Sequence, residues 1–205
     1  MDFNEKAKNW DKDPDRIARA GAFAEEILKI QGKRKNLNAL EFGSGTGNVS
    51  FCLNDVYDTI VLADTSKGML EVLEEKIHET GARGMVPYLI TETDTLARLK
   101  DFDAVFTLLT MHHVKNLDST FKDFANIMNK GGHLFIGDLM TEDGSFHFRD
   151  PEFDGHKGFD PDQLMKIVAA NGFEPLSWKI FYVIKREHEG KMKEYPLFIL
   201  SARKN

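Results

Sequence analysis

Glu41, Gly43, Gly45 and Gly47 are the densest group of chemically informative residues in the chain. An acid ends the apolar run from Leu37 to Phe42, and three glycines follow at every second position around Ser44 and Thr46. A glycine-rich turn between a strand and a helix lets a ligand approach backbone where a Cβ would clash, and it leaves N–H groups free to donate. Asp64 follows Ile60-Val61-Leu62-Ala63, about twenty residues on, where a carboxylate accepts hydrogen bonds from both hydroxyls of a bound ribose. Dinucleotide-binding domains share this much, so an NAD(P)-dependent oxidoreductase is one reading of these residues. Three details favour another. The third glycine comes two residues after the second rather than three. The Glu41 carboxylate suits a cationic group better than a phosphate. The chain closes with a helix and a strand pair, not with a second mononucleotide-binding half.

Histidine supplies the other reactive groups. His112, His113, His147 and His156 all lie in one stretch of the second half, and imidazole titrates at about 6.5, which suits proton transfer near neutrality. With Asp154 or Glu142 they compose a metal-ligand set by type, but the spacing matches no compact ligand motif and no metal site is expected. The lone Cys52 has no disulfide partner; between Phe51 and Leu53 it reads as a buried, inert thiol.

These residues need elements to position them. Asp13-Pro14 followed by Ile17, Ala20, Phe23, Ala24, Ile27 and Leu28 predicts an amphipathic helix to about Ile30, ended by Gly32. Strand-length apolar runs then alternate with helical patterns. The strands are Leu37 to Phe42, Thr59 to Ala63, Met85 to Ile90, Phe102 to Leu109 and His133 to Asp138. The helices are Val49 to Asn54, Lys67 to Glu79, Leu96 to Lys100 and Leu117 to Met128. Strands apolar on both faces and separated by helices imply a parallel sheet covered on both sides. The rhythm breaks at the polar segment Met140 to Gly158, a length that without its own structure is usually functional or disordered. A helix then starts at Asp160-Pro161 and stops at Asn171-Gly172. Two strands, Glu174 to Arg186 and Glu194 to Ala202, form an antiparallel pair joined by a charged turn at Glu189-Gly190.

With 205 residues and 41% hydrophobic content, a single domain is expected, with residues 1–32 as an N-terminal helical cap and 139–160 as a cover over the active site. No window approaches the roughly 18 apolar residues of a membrane span, so no membrane partner and a cytoplasmic location are expected. A net charge of −6 argues against a nucleic-acid partner, since that affinity rests on neutralising many phosphates; the basic cluster Lys33-Arg34-Lys35 reads as a solvated turn.

On five motifs in order, the sequence resembles the class I S-adenosylmethionine-dependent methyltransferases. Leu40 to Gly47 looks like that family's first motif and Ala63-Asp64-Thr65-Ser66 its second. Thr93-Asp94-Thr95-Leu96 looks like the adenine-side motif, Phe102 to Val105 the fourth strand's entry, and Asn129 to Leu134 the turn into the fifth. Lys130 departs from the pattern, standing before Gly131 where many members carry proline. The resemblance implies a Rossmann-like α/β fold, a seven-stranded, mostly parallel sheet with an antiparallel last strand and helices on both faces. It also implies S-adenosylmethionine as cofactor, a small-molecule acceptor and a monomer or homodimer.

The roles it implies are specific. Glu41, Gly43, Ser44, Gly45 and Gly47 would surround the methionine portion, Asp64 the ribose, and Thr65 and Met69 the adenine's surroundings. Asp94 with Thr95 would meet the adenine amino group, and the Thr107 and Leu108 backbone the methionine amine. Within the superfamily the chain resembles small methyltransferases that open with Ala7-Lys8-Asn9-Trp10-Asp11 and carry stretches like Glu142 to His147 and His156 to Asp160. Trp10, beside the cofactor, would form an apolar lid with Phe146 and Phe148. His112, His147 and His156 are the candidate catalytic bases, with His113 beside them. A cofactor-binding protein that does not catalyse is the remaining alternative.

Overall fold

The computed structural model describes residues 3–32, 36–148, 150, 152–188 and 190–205. The cluster Lys33 to Lys35 and Glu189 of the charged turn lie outside the described residues. In chain order the helices are α1 (Phe3–Lys6), α2 (Pro14–Gln31), α3 (Asn48–Leu53), α4 (Lys67–Thr80), α5 (Leu117–Ile127) and α6 (Pro161–Ala170). The strands are β1 (Asn38–Phe42), β2 (Thr59–Asp64), β3 (Met85–Leu89), β4 (Phe102–Leu108), β5 (Met128–Leu139), β6 (Phe173–His188) and β7 (Lys191–Lys204). Short 3-10 turns cover Ala7–Lys12, Leu96–Arg98, Met111–His113 and Ser145–His147.

All seven strands join one sheet in the order β3-β2-β1-β4-β5-β7-β6. β7 runs antiparallel to both of its neighbours, and the other pairings are parallel. The order reverses between β1 and β4, and in such sheets ligands bind in the crevice beyond the carboxyl ends of the strands at that switch.

Adjacent residues of the inner strands feed opposite cores, as the two-residue period of a strand requires. Ala39, Ile60, Ala104 and Phe135 pack with Phe23 and Ile27 of α2, Leu53 of α3 and Leu73 of α4. Leu40, Val105, Leu134 and Phe198 pack on the other face with Phe121 and Phe124 of α5 and Leu164 and Val168 of α6.

The termini of the helices follow local chemistry. Asp13 accepts from the Asp15 N–H at 3.0 Å ahead of Pro14, and Ser66 and Asn116 cap α4 and α5 in the same way.

Three sequence expectations change. Leu96 to Lys100 forms one 3-10 turn rather than a helix, because only Leu96 of that stretch is buried to anchor it. The segment before α2, read only as part of a cap, folds as α1 and a 3-10 turn. Cys52 is exposed, because the helical period turns Leu53 inward and its neighbour out.

Candidate active site

A cavity of about 620 Å³ opens at the carboxyl ends of β1, β2 and β4. Its floor is the turn after β1. The Gly43 and Ser44 N–H groups both donate to the Ala63 carbonyl, at 2.8 and 3.1 Å, which folds the turn back over β2. Gly43, Gly45 and Gly47 all have positive φ, at 69°, 54° and 79°. A Cβ at Gly43 would lie 2.3 Å from the Thr110 side chain, whereas one at Gly45 would only approach Trp10 and Met69 at ordinary contact. Gly43 is therefore required by both conformation and space, and Gly45 by conformation.

Two acids fix this floor. Asp64 accepts from the Gly45 N–H at 2.7 Å through one carboxylate oxygen and from the Ser66 N–H at 2.8 Å through the other. Burial raises its pKa, opposed by those backbone N–H groups. Glu41, 3% exposed, accepts from the Ser50 N–H at 3.2 Å and from the Ser50 hydroxyl. Burial pushes its pKa up to about 8, with the nearby Asp64 charge adding to the shift. A cationic ligand in the cavity would reverse both penalties.

The chain's first residues close one side. The Asp11 carboxylate accepts from the Thr46 hydroxyl, the Asn48 amide and the Lys76 ammonium, each at 2.7 Å. Burial alone would raise the Asp11 pKa, but these three bonds hold it below the ordinary carboxylate value. Asn4 accepts from the Ser66 hydroxyl and the Gly68 N–H at the start of α4. Trp10 is thus held over the glycine turn, with the Arg16 guanidinium stacked 3.6 Å from its ring centroid.

The opposite side is built from residues distant in sequence. Leu109, at the end of β4, has φ 54°, a strained conformation for leucine; its N–H donates to the Gly137 carbonyl at 2.8 Å. The bend carries the chain into the turn Met111–His113. There His112 Nδ1 donates to Asp138 Oδ1 at 2.7 Å, and Asp138, fully buried at the end of β5, also accepts the His112 and Leu139 N–H groups. This fixes the His112 tautomer and leaves Nε2 with its lone pair.

The segment after β5 returns across this end of the sheet. Its own 3-10 turn is held by Glu142, which accepts the Phe146 N–H at 3.0 Å, and by Ser145 bonded to Tyr195 at 2.8 Å. His147 is brought beside His112 and His113, with ring centroids 5.1 and 5.3 Å away. Burial, helped by the charge of neighbouring His112, depresses the pKa of His113 to about 4 and of His147 to about 3.

Arg16, Arg19 and Arg186 complete the wall. Arg16 pairs with Asp13 and Arg19 with Asp15. Arg186, from β6, lies 3.9 Å from the Phe146 ring centroid and donates to the Phe146 carbonyl at 3.2 Å; among the described residues no carboxylate pairs with it.

The sequence-predicted residues divide accordingly. Glu41, Gly43, Ser44, Gly45, Asp64, Thr65, Met69, Leu108 and Trp10 line the cavity, as do His112, His113, His147, Phe146 and Phe148. Gly47 begins α3 just behind it, and Thr107 is buried in β4. Asp94 pairs with Arg98 outside the lining, and Thr95 receives the Tyr88 hydroxyl on its carbonyl. His156 also stands outside the lining: its Nε2 bonds the Val114 carbonyl at 3.0 Å, tying the returning segment to the turn after β4. Arg16, Arg19, Arg186 and Asp138 were not legible as site residues, since each is an ordinary charged residue within a helix or strand pattern. The donor pattern of Asp138 appears only once β5 lies beside the Met111–His113 turn.

The cradle offers an adenosyl sulfonium ligand the contacts it needs. Ser44 Oγ is buried with no partner, Gly43 and Gly45 leave backbone bare, and Glu41 and Asp64 offer acceptors and negative charge. The residues fit such a group.

Comparisons with known proteins agree with this architecture. Residues 40–136 match the methyltransferase domain family. An uncharacterised methyltransferase of Schizosaccharomyces pombe is 27% identical over 154 residues, 71% of this chain and 51% of that protein. A ubiquinone biosynthesis O-methyltransferase of Pelagibacter ubique is 28% identical over 114 residues, 56% of this chain and 47% of that protein. The chain spans about half the length of these two relatives. Among solved structures, a SAM-dependent methyltransferase from Aquifex aeolicus superposes with TM-score 0.70 at 20% identity, covering 98% of both chains.

Proposed function

We propose, on the premise that the chain belongs to the class I S-adenosylmethionine-dependent methyltransferases, that it methylates a small anionic molecule. The observation that carries this reading is that the Glu41–Gly45 cradle and a wall of three arginines and three histidines line the same cavity. When bound, S-adenosylmethionine supplies an electrophilic sulfonium methyl. Every other requirement falls to the chain: alignment, exclusion of water, and handling of the acceptor's proton.

Asp64 and the Gly43–Gly45 backbone would hold the cofactor's ribose and methionine portions. Glu41 would meet the cationic end, ionising as the ligand's charge offsets its burial. Trp10, latched by Asp11 to Lys76, would cover that half and exclude water. Arg186, free of carboxylate partners among the described residues, would bind an acceptor anion, with Arg16 and Arg19 adding positive potential behind it. An acceptor so held would present its nucleophilic atom to the imidazoles of His112, His113 and His147.

The test is product formation. The protein is incubated with S-adenosylmethionine and a panel of small carboxylates and phosphates bearing hydroxyl, amine or thiol groups, and S-adenosylhomocysteine is quantified. Acceptor-dependent production supports the reading. Tight cofactor binding without turnover on any acceptor would favour a non-catalytic binding protein. Among the described residues no helix is long and apolar enough to cross a membrane.

A further inference from the structure

We propose that His112, His113 and His147 bind a divalent transition-metal ion, and that the ion holds the methyl acceptor through a coordinating oxygen, nitrogen or sulfur atom. The second half rests on the methyltransferase reading above; the ion site stands on geometry alone. One ring nitrogen from each histidine lies within 4.8 Å of the other two. Three imidazoles on a tetrahedral ion stand about 3.4 Å apart, given metal–nitrogen distances of about 2.0–2.1 Å. Side-chain rotations of about an ångström would therefore close the set.

Three independent features point to a cation. His112 is 1% and His147 9% exposed, and His147 Nε2 is buried with no hydrogen-bond partner, an arrangement that costs free energy unless something occupies it. His112 is held through Nδ1 by the buried Asp138, the carboxylate–histidine support that orients ligating imidazoles and raises their basicity. Phe153 stacks on His147 at 3.7 Å and Phe146 packs edge-on to it at 5.1 Å, so the cluster sits in an apolar shell.

A general base needs one imidazole. Three convergent lone pairs are poorly served by a proton, because a charge on one ring disfavours charge on the others. A metal ion satisfies all three together and keeps a fourth position for the acceptor. Arg186, Arg16 and Arg19 oppose a lone cation, yet they favour a cation that arrives with an anionic acceptor. In the coordinated acceptor X–H, the ion withdraws electron density from X; the X–H bond breaks, X keeps the electron pair, and the proton passes to solvent.

The test uses the full chain, treated with EDTA and titrated with Co²⁺ while its visible absorption is followed. A saturable band at one equivalent, displaced by Zn²⁺, is expected. His147→Ala should abolish it, and Asp138→Asn, which leaves all three ligands in place, should weaken Co²⁺ binding about 10–100-fold. If His147→Ala fails to fold, X-ray absorption on the Zn²⁺-loaded wild type decides: three imidazole nitrogens support the site, and one or none overturns it. S-adenosylhomocysteine binding is measured on the same metal-free sample. Retained binding without a Co²⁺ band overturns the metal site and leaves the methyltransferase reading standing; lost binding overturns that reading instead.

Discussion

The two halves of the cavity are made in different ways. The cradle comes from short, contiguous segments at the ends of parallel strands, and its geometry is mostly backbone: N–H groups of residues 43–45 turned onto Ala63 and Asp64. The acceptor wall comes from six side chains, Arg16, Arg19, His112, Asp138, His147 and Arg186, on five different elements or turns. A backbone site tolerates little change where it bends, while a side-chain wall can be altered residue by residue without disturbing the sheet. The first arrangement suits a cofactor shared by many enzymes, and the second suits an acceptor particular to one.

Changes in the cradle should therefore be the most damaging. Gly43→Val places branched carbons at a positive φ and against Thr110. The strain and overpacking together cost about 2–5 kcal/mol. Calorimetric titration is expected to show S-adenosylhomocysteine affinity reduced at least 100-fold; near-wild-type binding would erase the distinction between the halves.

His112→Ala should show the reverse profile. Turnover is expected to fall roughly 100-fold or more, the scale of proton-handling groups, while S-adenosylhomocysteine affinity changes less than threefold. A parallel loss of cofactor binding would mean that the wall and cradle are one unit.

Arg186→Ala is expected to raise the acceptor KM about tenfold with kcat little altered, matching the loss of one charge-assisted hydrogen bond of about 1.5 kcal/mol. Arg186→Lys should recover part of that loss. A fall in kcat at constant KM would place Arg186 in the reaction rather than in binding.

Further predictions concern pH. Glu41 has a folded pKa of about 8 against an ordinary 4.5, so its stabilising contribution is full below pH 4.5 and is lost as pH rises through about 8. His113 and His147, at about 4 and 3, act oppositely: their contribution is full above about pH 6.5 and is lost as pH falls through those values. Chemical denaturation across pH should show Glu41→Gln flattening only the alkaline arm and His147→Asn only the acid arm. An unchanged alkaline arm in Glu41→Gln would show that the carboxyl is already ionised in the free protein.

The same contrast explains what could be read from sequence. The cradle is legible because its requirements are local: glycine where φ is positive, an acid at the end of each of two strands, and alternation of strands and helices. The 3-10 turn at Ser145–His147 was not, because three residues give no period, and its caps, Glu142 and Asp143, look like any polar pair. Cys52 was misread because Phe51 and Leu53 beside it are apolar, yet one residue on a helix turns the side chain by about 100°. His156 and Asp94 share motifs with site residues, but His156 bonds to Val114, a partner that only the fold brings near, and Asp94 pairs with Arg98 four residues along the chain. The three-histidine cluster escaped a motif search because two rings come from the turn after β4 and the third from the segment after β5.

The central claim is that the glycine turn with Glu41 and Asp64 receives an adenosyl sulfonium and not a dinucleotide. Calorimetric titration of the purified chain with S-adenosylhomocysteine and, separately, with NAD and NADP tests it most directly. Saturable one-to-one binding of S-adenosylhomocysteine, weakened by Asp64→Ala, with no heat from either dinucleotide, is the predicted result. Binding of NAD or NADP with none of S-adenosylhomocysteine would contradict it.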